Sequence, residues 1–333
     1  MALTPPLIVL LGASGFVGSA VLRELATRPV RVRAVSRRPA VVPGDARAEI
    51  EVLTVDLCEP GRMAEAVAGA DIVIHAVAYI DGVTTWRVAD GDSAAERVTV
   101  GLVRDLVDVA RSGRADGAPP LRVVFTGAAS QVGVAPREVL DGTETDRPAG
   151  EYDRQKLAAE TTLLAAHAEG VVEATSIRLP TVFGSGPRST ARDKGVVSLM
   201  VRRAVAGQDI TMWHDGTVRR DLVYIDDVAR ALVAAAEHVT ELAGRAWLLG
   251  SGHGTPLGEV FATVAELVAA ETGKPPVAVL SVPPPANAEA GDFRSVTIDA
   301  SAFRAVTGWE PRVPLDEALA RTVAHCVQEV EPS

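Results

Sequence analysis

Two residues that could transfer a proton, Tyr152 and Lys156, stand four positions apart in the stretch "EYDRQKLAAE". The chain has only three tyrosines and three lysines, so such a pair is unusual for this composition. A four-residue offset puts both side chains on one face of a helix, one turn apart. A phenol can give a proton to a developing alkoxide, and a nearby ammonium changes how readily it does so. The alternative is a surface ion pair between Lys156 and Glu160 next to an unrelated tyrosine.

A glycine-rich turn lies far upstream, in the stretch "LLGASGFVG". It follows an apolar run at 7–11 and precedes a helical pattern. Glycines at such a turn let the backbone approach a pyrophosphate, which then lies on the free N–H groups at the start of the helix. This context favours a dinucleotide site over a turn without a ligand. The residues predicted to contact the cofactor here are Gly12, Ser14, Gly15, Phe16, Val17 and Gly18.

The residues after the second predicted strand indicate which coenzyme binds. Ser36, Arg37 and Arg38 occupy the position at which an acidic residue would bind the 2'-hydroxyl of NAD. A guanidinium pairs with a 2'-phosphate instead, so the sequence predicts NADP (NADPH). The alternative is a pair of arginines on a solvated turn. Asp56, after the third predicted strand, is placed to contact the adenine edge, with Leu57 beside it.

Apolar runs alternate with helical patterns through the first half of the chain. This alternation predicts an α/β fold, a Rossmann-type doubly wound parallel sheet with a smaller C-terminal substrate lobe. His75 lies inside one apolar strand and is expected to be a core histidine with satisfied hydrogen bonds. The predicted strands span 7–11, 30–35, 50–56, 71–78, 121–127 and 173–179, and the predicted helices span 16–27, 61–68, 94–112 and 151–169.

The alternation loosens after about residue 180. A strand and a helix are predicted within 215–238, and a further helix within 254–273. We therefore expect the two halves of the chain to interleave. The predicted NADP-binding domain comprises residues 1–178 plus about 221–250, and the predicted substrate-binding lobe comprises 179–220 and 251–333.

Composition excludes several classes of protein. The chain has 333 residues, of which 47% are hydrophobic and 23% charged, as in a packed globule. The net charge of −10 disfavours a broad nucleic-acid or membrane-surface role, although local arginines could still face phosphates. Cys58 and Cys326 form no disulfide framework and no metal-ligand cluster, so we expect a cytoplasmic protein without a metal. The run at 7–11 is too short for a signal peptide or a membrane span.

Several stretches together resemble one family over nearly the whole chain. They are the glycine turn, "TVDL", "HAVA", the Y-x-x-x-K helix, "RLPTVFGSG" and "RRDLVYIDDVARA". The chain is similar in these to the extended short-chain dehydrogenase/reductases, the NAD-dependent epimerase/dehydratase family, that act on nucleotide sugars. "GAASQVG" and "ERVTVGLVRDLVD" are most similar to the dTDP-4-keto-6-deoxyhexose 4-ketoreductases. The resemblance implies a nucleotide-sugar substrate and reduction of its 4-keto group with NADPH. The sequence leaves the oligomeric state open, with a homodimer as one candidate.

The resemblance also assigns catalytic roles. It implies that Tyr152 donates the proton and that the Lys156 ammonium lowers the pKa of the phenol and binds the nicotinamide ribose. The family's third residue is a serine or threonine after the fifth strand. That slot is an alanine in this sequence, and Ser130 is the nearest hydroxyl, with Thr126 as the alternative. The family's asparagine is replaced at Val98–Thr99.

Further binding residues follow from the same resemblance. Arg220 matches an arginine that pairs with the diphosphate of a sugar nucleotide, and Arg294 is a second candidate. For both arginines the alternative is an ion pair with a neighbouring acid, such as Asp221 or Asp292. The additional cofactor contacts are Ala76, Val77, Ala78, Pro180 and Val182, and the substrate contacts are Ser130, Gln131, Thr181, Arg220 and Arg294.

Two other functions stay open on these residues. A nucleotide-sugar epimerase would use the same catalytic groups but return the hydride to the sugar. A non-catalytic NADP-binding regulatory protein would usually have lost the tyrosine or the lysine, and both are present. A sugar 4,6-dehydratase is excluded because Gln131, Val132 and Gly133, which follow Ser130, offer no acid–base pair.

Overall fold

The computed structural model of the protein describes residues 5–79, 88–113, 119–134, 137–185, 191–285, 288 and 290–330. Its strands are β1 Leu7–Leu11, β2 Arg31–Ser36, β3 Glu49–Thr54, β4 Ile72–His75, β5 Leu121–Ala128, β6 Val139–Leu140, β7 Val172–Leu179, β8 Thr181–Phe183, β9 Ile210–Met212, β10 Arg219–Tyr224, β11 Ala246–Leu248, β12 Gly254–Pro256, β13 Val279–Ser281 and β14 Thr297–Ile298. Its helices are α1 Phe16–Ala26, α2 Arg62–Val67, α3 Ser93–Glu96, α4 Leu102–Gly113, α5 Glu151–Ala168, α6 Val196–Val205, α7 Ile225–Glu237, α8 Val239–Leu242, α9 Leu257–Thr272, α10 Ser301–Thr307 and α11 Leu315–Val330.

Seven of these strands form one parallel sheet in the order β11-β7-β5-β4-β1-β2-β3. The order reverses between β1 and β4, so the loops that leave the carboxyl ends of these two strands diverge and open a crevice. The predicted Rossmann-type α/β fold is therefore confirmed. All six strands and all four helical segments predicted in the first half are present within a few residues of their expected bounds.

The central strands β1 and β4 are buried on both faces, which explains their nearly continuous apolar sequences, whereas the outer strand β3 is mostly exposed. All five residues of β1 are buried. Ile8 and Leu10 pack with α1, α7 and the C-terminal helices, whereas Val9 and Leu11 pack with α2, α4 and α5. Alternate residues of one strand thus stabilise two separate cores, and the sheet holds its carboxyl-end loops on a rigid base.

The helix predicted at 94–112 is divided. α3 and α4 are joined by a π-helical turn, Arg97–Gly101, which packs against α5. Val98 and Thr99, which stand where the family has asparagine, lie in this turn. π-helical turns inside helices often occur at functional sites, and this turn packs on the helix that carries Tyr152 and Lys156.

Three small sheets lie beyond the carboxyl ends of the main strands. They consist of β12-β10-β8, β13-β9 and β14-β6. The segment that follows β10 returns to the large sheet, because α7 packs on α1 and β11 pairs with β7. The division of the chain into two domains at the bounds given above stays a prediction.

Within the described residues, no helix has the length and apolar character needed to cross a membrane. In the same part of the chain, no three histidine, cysteine, aspartate or glutamate side chains come together as metal ligands, and both cysteines are free thiols.

Candidate active site

A cleft of about 1510 Å³ lies at the carboxyl ends of the main strands. It is walled by the loops after β1, β2, β4 and β5, by the start of α5, and by residues of the small sheets. Of the residues predicted from sequence, those that line it are Gly12, Ser14, Gly15, Phe16, Val17, Ser36, Arg37, Arg38, Asp56, Leu57, Ala76, Val77, Ala78, Ser130, Tyr152, Lys156, Pro180, Thr181, Val182 and Arg220. Gly18, Gln131 and Arg294 do not line it.

The glycine turn has the geometry of a phosphate cradle. Gly12 has a φ of 90°, and a Cβ there would lie 2.8 Å from the carbonyl oxygen of Ala76. A Cβ on Gly18 would lie 2.0 Å from the carbonyl oxygen of Gly12, so Gly18 is required for the helix to pack against the turn rather than to contact ligand. α1 begins at Phe16 without a side-chain cap, which leaves its first N–H groups for an anion. These residues fit the pyrophosphate of a dinucleotide.

The end of β2 carries the two arginines on its surface. Ser36 is buried and its hydroxyl donates a hydrogen bond to the carbonyl oxygen of Arg38 at 2.7 Å, which shapes the turn. Arg37 and Arg38 are exposed and line the cleft. Asp56 accepts a hydrogen bond from the backbone N–H of Cys58 at 2.9 Å and lines the same end of the cleft.

Tyr152 and Lys156 face the cleft from the first turns of α5. Lys156 is 2% exposed, and its ammonium donates a hydrogen bond to the carbonyl oxygen of Thr126 at 2.8 Å. The same nitrogen lies 6.0 Å from the centre of the Tyr152 ring. Burial lowers the pKa of Lys156 to about 8, against the opposing effect of Glu160. The amine is therefore still mostly protonated at neutral pH, although it loses its proton more readily than an exposed lysine does.

The pKa of Tyr152 shifts in the direction opposite to that expected. Burial raises the pKa of the phenol, and the neighbouring Asp153 carboxylate raises it further. The expected lowering by Lys156 is thus wrong for this structure, because desolvation disfavours the phenolate more strongly. Tyr152 is consequently a neutral phenol, the form that can donate a proton.

Glu160 does not form the surface ion pair with Lys156. It is 3% exposed and accepts hydrogen bonds from the hydroxyl of Ser176 at 2.6 Å and from Nε of Arg178 at 3.1 Å. Arg178 also binds Asp146 through two hydrogen bonds of 2.7 Å. Burial opposes the charge of Arg178, but its hydrogen bonds to Glu160 and Asp146 outweigh this and raise its pKa. A buried ion network therefore fixes α5 against β7, and the surface-pair alternative is wrong.

The hydroxyl of Ser130 donates a hydrogen bond to Oδ1 of Asp153 at 2.6 Å. Ser130 is exposed in the cleft, whereas Asp153 is 9% exposed. The hydroxyl of Thr126 instead donates to the carbonyl oxygen of His75 at 3.1 Å, inside the protein. This contact favours Ser130 over Thr126 as the cleft hydroxyl. Sequence reasoning missed Asp153, although it directly follows Tyr152.

Gln131 lies behind the turn that carries Ser130. Its side chain is fully buried, and Oε1 accepts a hydrogen bond from the backbone N–H of Ala128 at 2.7 Å. Gln131 therefore holds the loop after β5 in place, and its predicted contact with substrate does not fit this position. The side chain of Ala128, in the slot where the family has serine or threonine, lines the cleft instead.

His75 is a core residue as expected, but its ring is not hydrogen-bonded. It is fully buried beside Phe125, with 5.6 Å between the ring centres. Within the described chain, neither ring nitrogen has a hydrogen-bond partner. Burial, together with the nearby Lys156 charge, lowers the pKa of His75 to about 3, so the ring is neutral at physiological pH.

The far end of the cleft is basic. Both terminal nitrogens of Arg220 donate to backbone carbonyl oxygens, Nη1 to those of Arg219 and Arg294 and Nη2 to those of Gly291 and Asp292, which orders this loop beside the cleft. Asp221, which also lines the cleft, accepts a hydrogen bond from the backbone N–H of Ser251 at 2.7 Å. Side chains at this end that sequence reasoning did not identify are Arg192, Lys194, Arg203, Trp213 and His214. They come from separate segments, so no local pattern could have revealed them.

A glycine phosphate cradle, a parallel sheet with a switch point and a tyrosine–lysine pair in one cleft are the features of a Rossmann-fold, dinucleotide-dependent enzyme class. A family profile described as "NAD dependent epimerase/dehydratase family" matches residues 8–250. The chain belongs to this family.

Individual relatives cover nearly the whole chain. The chain is 27% identical over 365 aligned residues to the dTDP-L-rhamnose 4-epimerase of Burkholderia thailandensis, with 97% of this chain and 96% of that protein covered. It is 28% identical to the 2-alkyl-3-oxoalkanoate reductase of Stenotrophomonas maltophilia, with 79% and 75% covered. Among solved structures, MoeE5 in complex with UDP-glucose and NAD has a TM-score of 0.79 and 28% identity, with 98% of this chain and 100% of that chain covered.

Proposed function

We propose that this protein is an NADP(H)-dependent enzyme that transfers hydride at C4 of a nucleotide-linked hexose. The observation that carries the proposal is the cleft itself. Its one end holds the glycine cradle, its middle holds Tyr152 and Lys156, and its other end holds the basic groups around Arg220. Such a basic end suits the diphosphate of a sugar nucleotide in a chain whose net charge is −10.

In the proposed reaction the residues of this chain would have separate roles. When bound, the nicotinamide supplies or accepts the hydride. As the carbonyl carbon gains the hydride, the electron pair of its C=O bond passes to oxygen, and Tyr152 gives that oxygen the phenolic proton. Lys156, anchored on Thr126, holds its ammonium beside the tyrosine ring. In the oxidative direction, Tyr152 takes the proton back.

Epimerisation at C4 is the net reaction that the known relatives favour. The dTDP-L-rhamnose 4-epimerase aligns with 97% of this chain, and MoeE5 is described with UDP-glucose and NAD. An epimerase oxidises and then reduces the same sugar, so it needs no groups beyond those in this cleft and consumes no coenzyme.

Net reduction of a 4-keto-6-deoxyhexose, linked to dTDP as the sequence resemblance implies, is the second candidate. One observation favours it, since Arg37 and Arg38 are exposed at the cofactor end of the cleft, where they suit a 2'-phosphate. A reductase exchanges its coenzyme in every cycle, and NADPH is the usual reductant for biosynthesis. The 2-alkyl-3-oxoalkanoate reductase relative is named for a net reduction.

One experiment tests the proposal and separates its two candidates. Purified protein is incubated with dTDP-linked 4-keto-6-deoxyhexoses plus NADPH, and separately with dTDP-L-rhamnose and UDP-glucose, and products are followed by NMR and by absorbance at the NADPH band. One NADPH consumed per ketosugar supports the reductase. Interconversion of two sugar nucleotides without loss of NADPH absorbance supports the epimerase. Coenzyme binding with no turnover of any of these sugars would overturn both, in favour of a regulatory protein. The Tyr152→Phe variant is the matched inactive control.

A further inference from the structure

The serine beside the catalytic pair has its only proton engaged. The Ser130 hydroxyl donates to Oδ1 of Asp153 at 2.6 Å, which is the distance of a hydrogen bond to a carboxylate. Asp153 is 9% exposed, so a buried carboxylate would lose a donor if Ser130 turned its proton toward the cleft. What Ser130 presents to the cleft is therefore its oxygen lone pairs.

We infer that Asp153 fixes Ser130 as a hydrogen-bond acceptor and that this pair selects a substrate with a hydroxyl donor next to the reacting carbon. The inference rests on the proposed function, in which the reacting carbon is C4, so the selected group is the hydroxyl at C3. Tyr152 is the proton-donating group in the same cleft, and Ser130 lies exposed beside it. The two hydroxyls thus have opposite hydrogen-bonding roles. The phenol of Tyr152 donates to the carbonyl oxygen of the substrate, and the oxygen of Ser130 accepts from the neighbouring hydroxyl.

In the described part of the chain from β5 into the following loop, no side chain turns a hydroxyl proton toward the cleft, because the Ser130 proton is bound to Asp153. The Thr126 hydroxyl is turned inward to His75, and Gln131 is buried behind the loop. Ala128 and Ala129, which precede Ser130 and line the cleft, have no polar side-chain atom. The catalytic role that the resemblance gave to Ser130 becomes, in this proposal, a role in recognising the substrate. Asp153 acts through Ser130 and is a positioning residue.

The test compares three substrates that differ only at C3. They are the nucleotide-linked 4-ketosugar with a C3 hydroxyl, its 3-deoxy analogue and its 3-deoxy-3-fluoro analogue. Fluorine has nearly the size of a hydroxyl but cannot donate a hydrogen bond. We expect kcat/KM of the wild type to fall about 10- to 100-fold for both analogues, as for loss of one hydrogen bond to a charged pair. A serine that donated to C3 would tolerate fluorine better than hydrogen.

The variants test whether Ser130 acts as a hydrogen-bond acceptor and whether Asp153 fixes it in that role. Ser130→Ala should process all three substrates with similar kcat/KM. In Asp153→Asn the amide can donate to Ser130 and release its proton, so the discrimination against fluorine should shrink while that against the 3-deoxy analogue persists. Ser112→Ala, at an exposed serine of α4 that donates to the carbonyl oxygen of Asp108, is the matched control and should keep the wild-type ratios.

The outcomes separate this inference from the function on which it rests. Equal kcat/KM of the wild type for all three sugars, or unchanged ratios in Ser130→Ala, would overturn the inference and leave the C4 chemistry standing. Absence of turnover for every nucleotide sugar would overturn both. Should Asp153→Asn fail to fold, as judged by its thermal unfolding, the ratios in Ser130→Ala and Ser130→Cys decide the question.

Discussion

The ammonium of Lys156 lies 2.8 Å from the carbonyl oxygen of Thr126, so α5, the helix that carries Tyr152 and Lys156, is anchored on the carboxyl end of the strand β5. This hydrogen bond joins a local motif to the sheet that positions it. Because the lysine is 2% exposed, its charge is favoured by this backbone acceptor, by the Phe125 ring 4.9 Å from the ammonium and by the Glu160 carboxylate. The relationship has consequences for both activity and stability.

Replacing Tyr152 with phenylalanine should lower kcat by about 10²- to 10⁴-fold, because the phenol acts as the proton donor in the transition state. Coenzyme affinity should stay within a few-fold of the wild-type value, measured by quenching of protein fluorescence. Tyr224→Phe is the matched control, since the Tyr224 hydroxyl donates to the carbonyl oxygen of Ser185 away from the cleft. A loss of only a few-fold in Tyr152→Phe would reject Tyr152 as the acid.

Removing the side chains of Arg37 and Arg38 should shift coenzyme preference from NADPH toward NADH by about 10- to 100-fold, because in the proposed function the two guanidinium groups bind the 2'-phosphate of NADPH. The measurement is kcat/KM with each coenzyme for the Arg37→Ala/Arg38→Ala variant. Arg104→Ala, which removes an exposed arginine of α4 paired with Glu96, should leave the preference unchanged. Equal kcat/KM of the wild type with both coenzymes would instead support the alternative, in which the two arginines lie on a solvated turn and do not bind the coenzyme.

The stability of the protein relative to Lys156→Met should rise between pH 8 and pH 10.5. Burial depresses the pKa of Lys156 from 10.5 to about 8, so the unfolded chain binds more protons in this window. The stabilisation of the wild type relative to Lys156→Met is therefore present above pH 10.5 and lost as the pH falls through 8. The difference between their free energies of unfolding changes by an amount on the order of 3 kcal/mol. Urea unfolding of both proteins across this range measures it, and the other titrating groups cancel in the difference. A constant difference would show that Lys156 keeps its ordinary pKa.

Acid should destabilise the wild type more than His75→Leu. Burial depresses the pKa of His75 from 6.5 to about 3, so below pH 6.5 the histidine binds a proton in the unfolded chain but stays neutral in the folded chain. The stabilisation is present above pH 6.5 and lost as the pH falls toward 3, by about 1.4 kcal/mol for each pH step below 6.5. Denaturant unfolding at pH 7 and pH 5 measures the difference. His253→Leu, which replaces an exposed histidine, is the control. Its free energy of unfolding should differ from that of the wild type by nearly the same amount at pH 7 and at pH 5.

Breaking the buried ion network should cost far more than breaking a surface pair. Glu160→Gln leaves Arg178 with Asp146 as its one remaining carboxylate, and loss of a partner from a buried pair costs about 3 kcal/mol or more. Glu317→Gln, which removes an exposed pair with Arg321, should change the free energy of unfolding by less than about 1 kcal/mol. Similar small effects of both substitutions would show that the network is solvated.

The sequence by itself determined the features that arise from neighbours along the chain. The five-residue run of β1, the glycine turn before α1 and the offset of Tyr152 and Lys156 follow from local periodicity and backbone sterics, which need no distant partner. The alternation of strands and helices then led to the parallel sheet, because few topologies connect such elements. For this reason the residues predicted to contact the cofactor, apart from Gly18, line one cleft.

Only the tertiary structure decided which polar groups meet across the chain. Glu160 could pair with Lys156 on its own helix, yet it binds Arg178 of β7, eighteen positions away. Ser130 and Asp153 are twenty-three positions apart, and only the docking of α5 on the loop after β5 brings them within 2.6 Å. The directions of the pKa shifts of Tyr152 and Lys156 were likewise set by burial, a quantity that depends on the packing of the whole fold rather than on residue type.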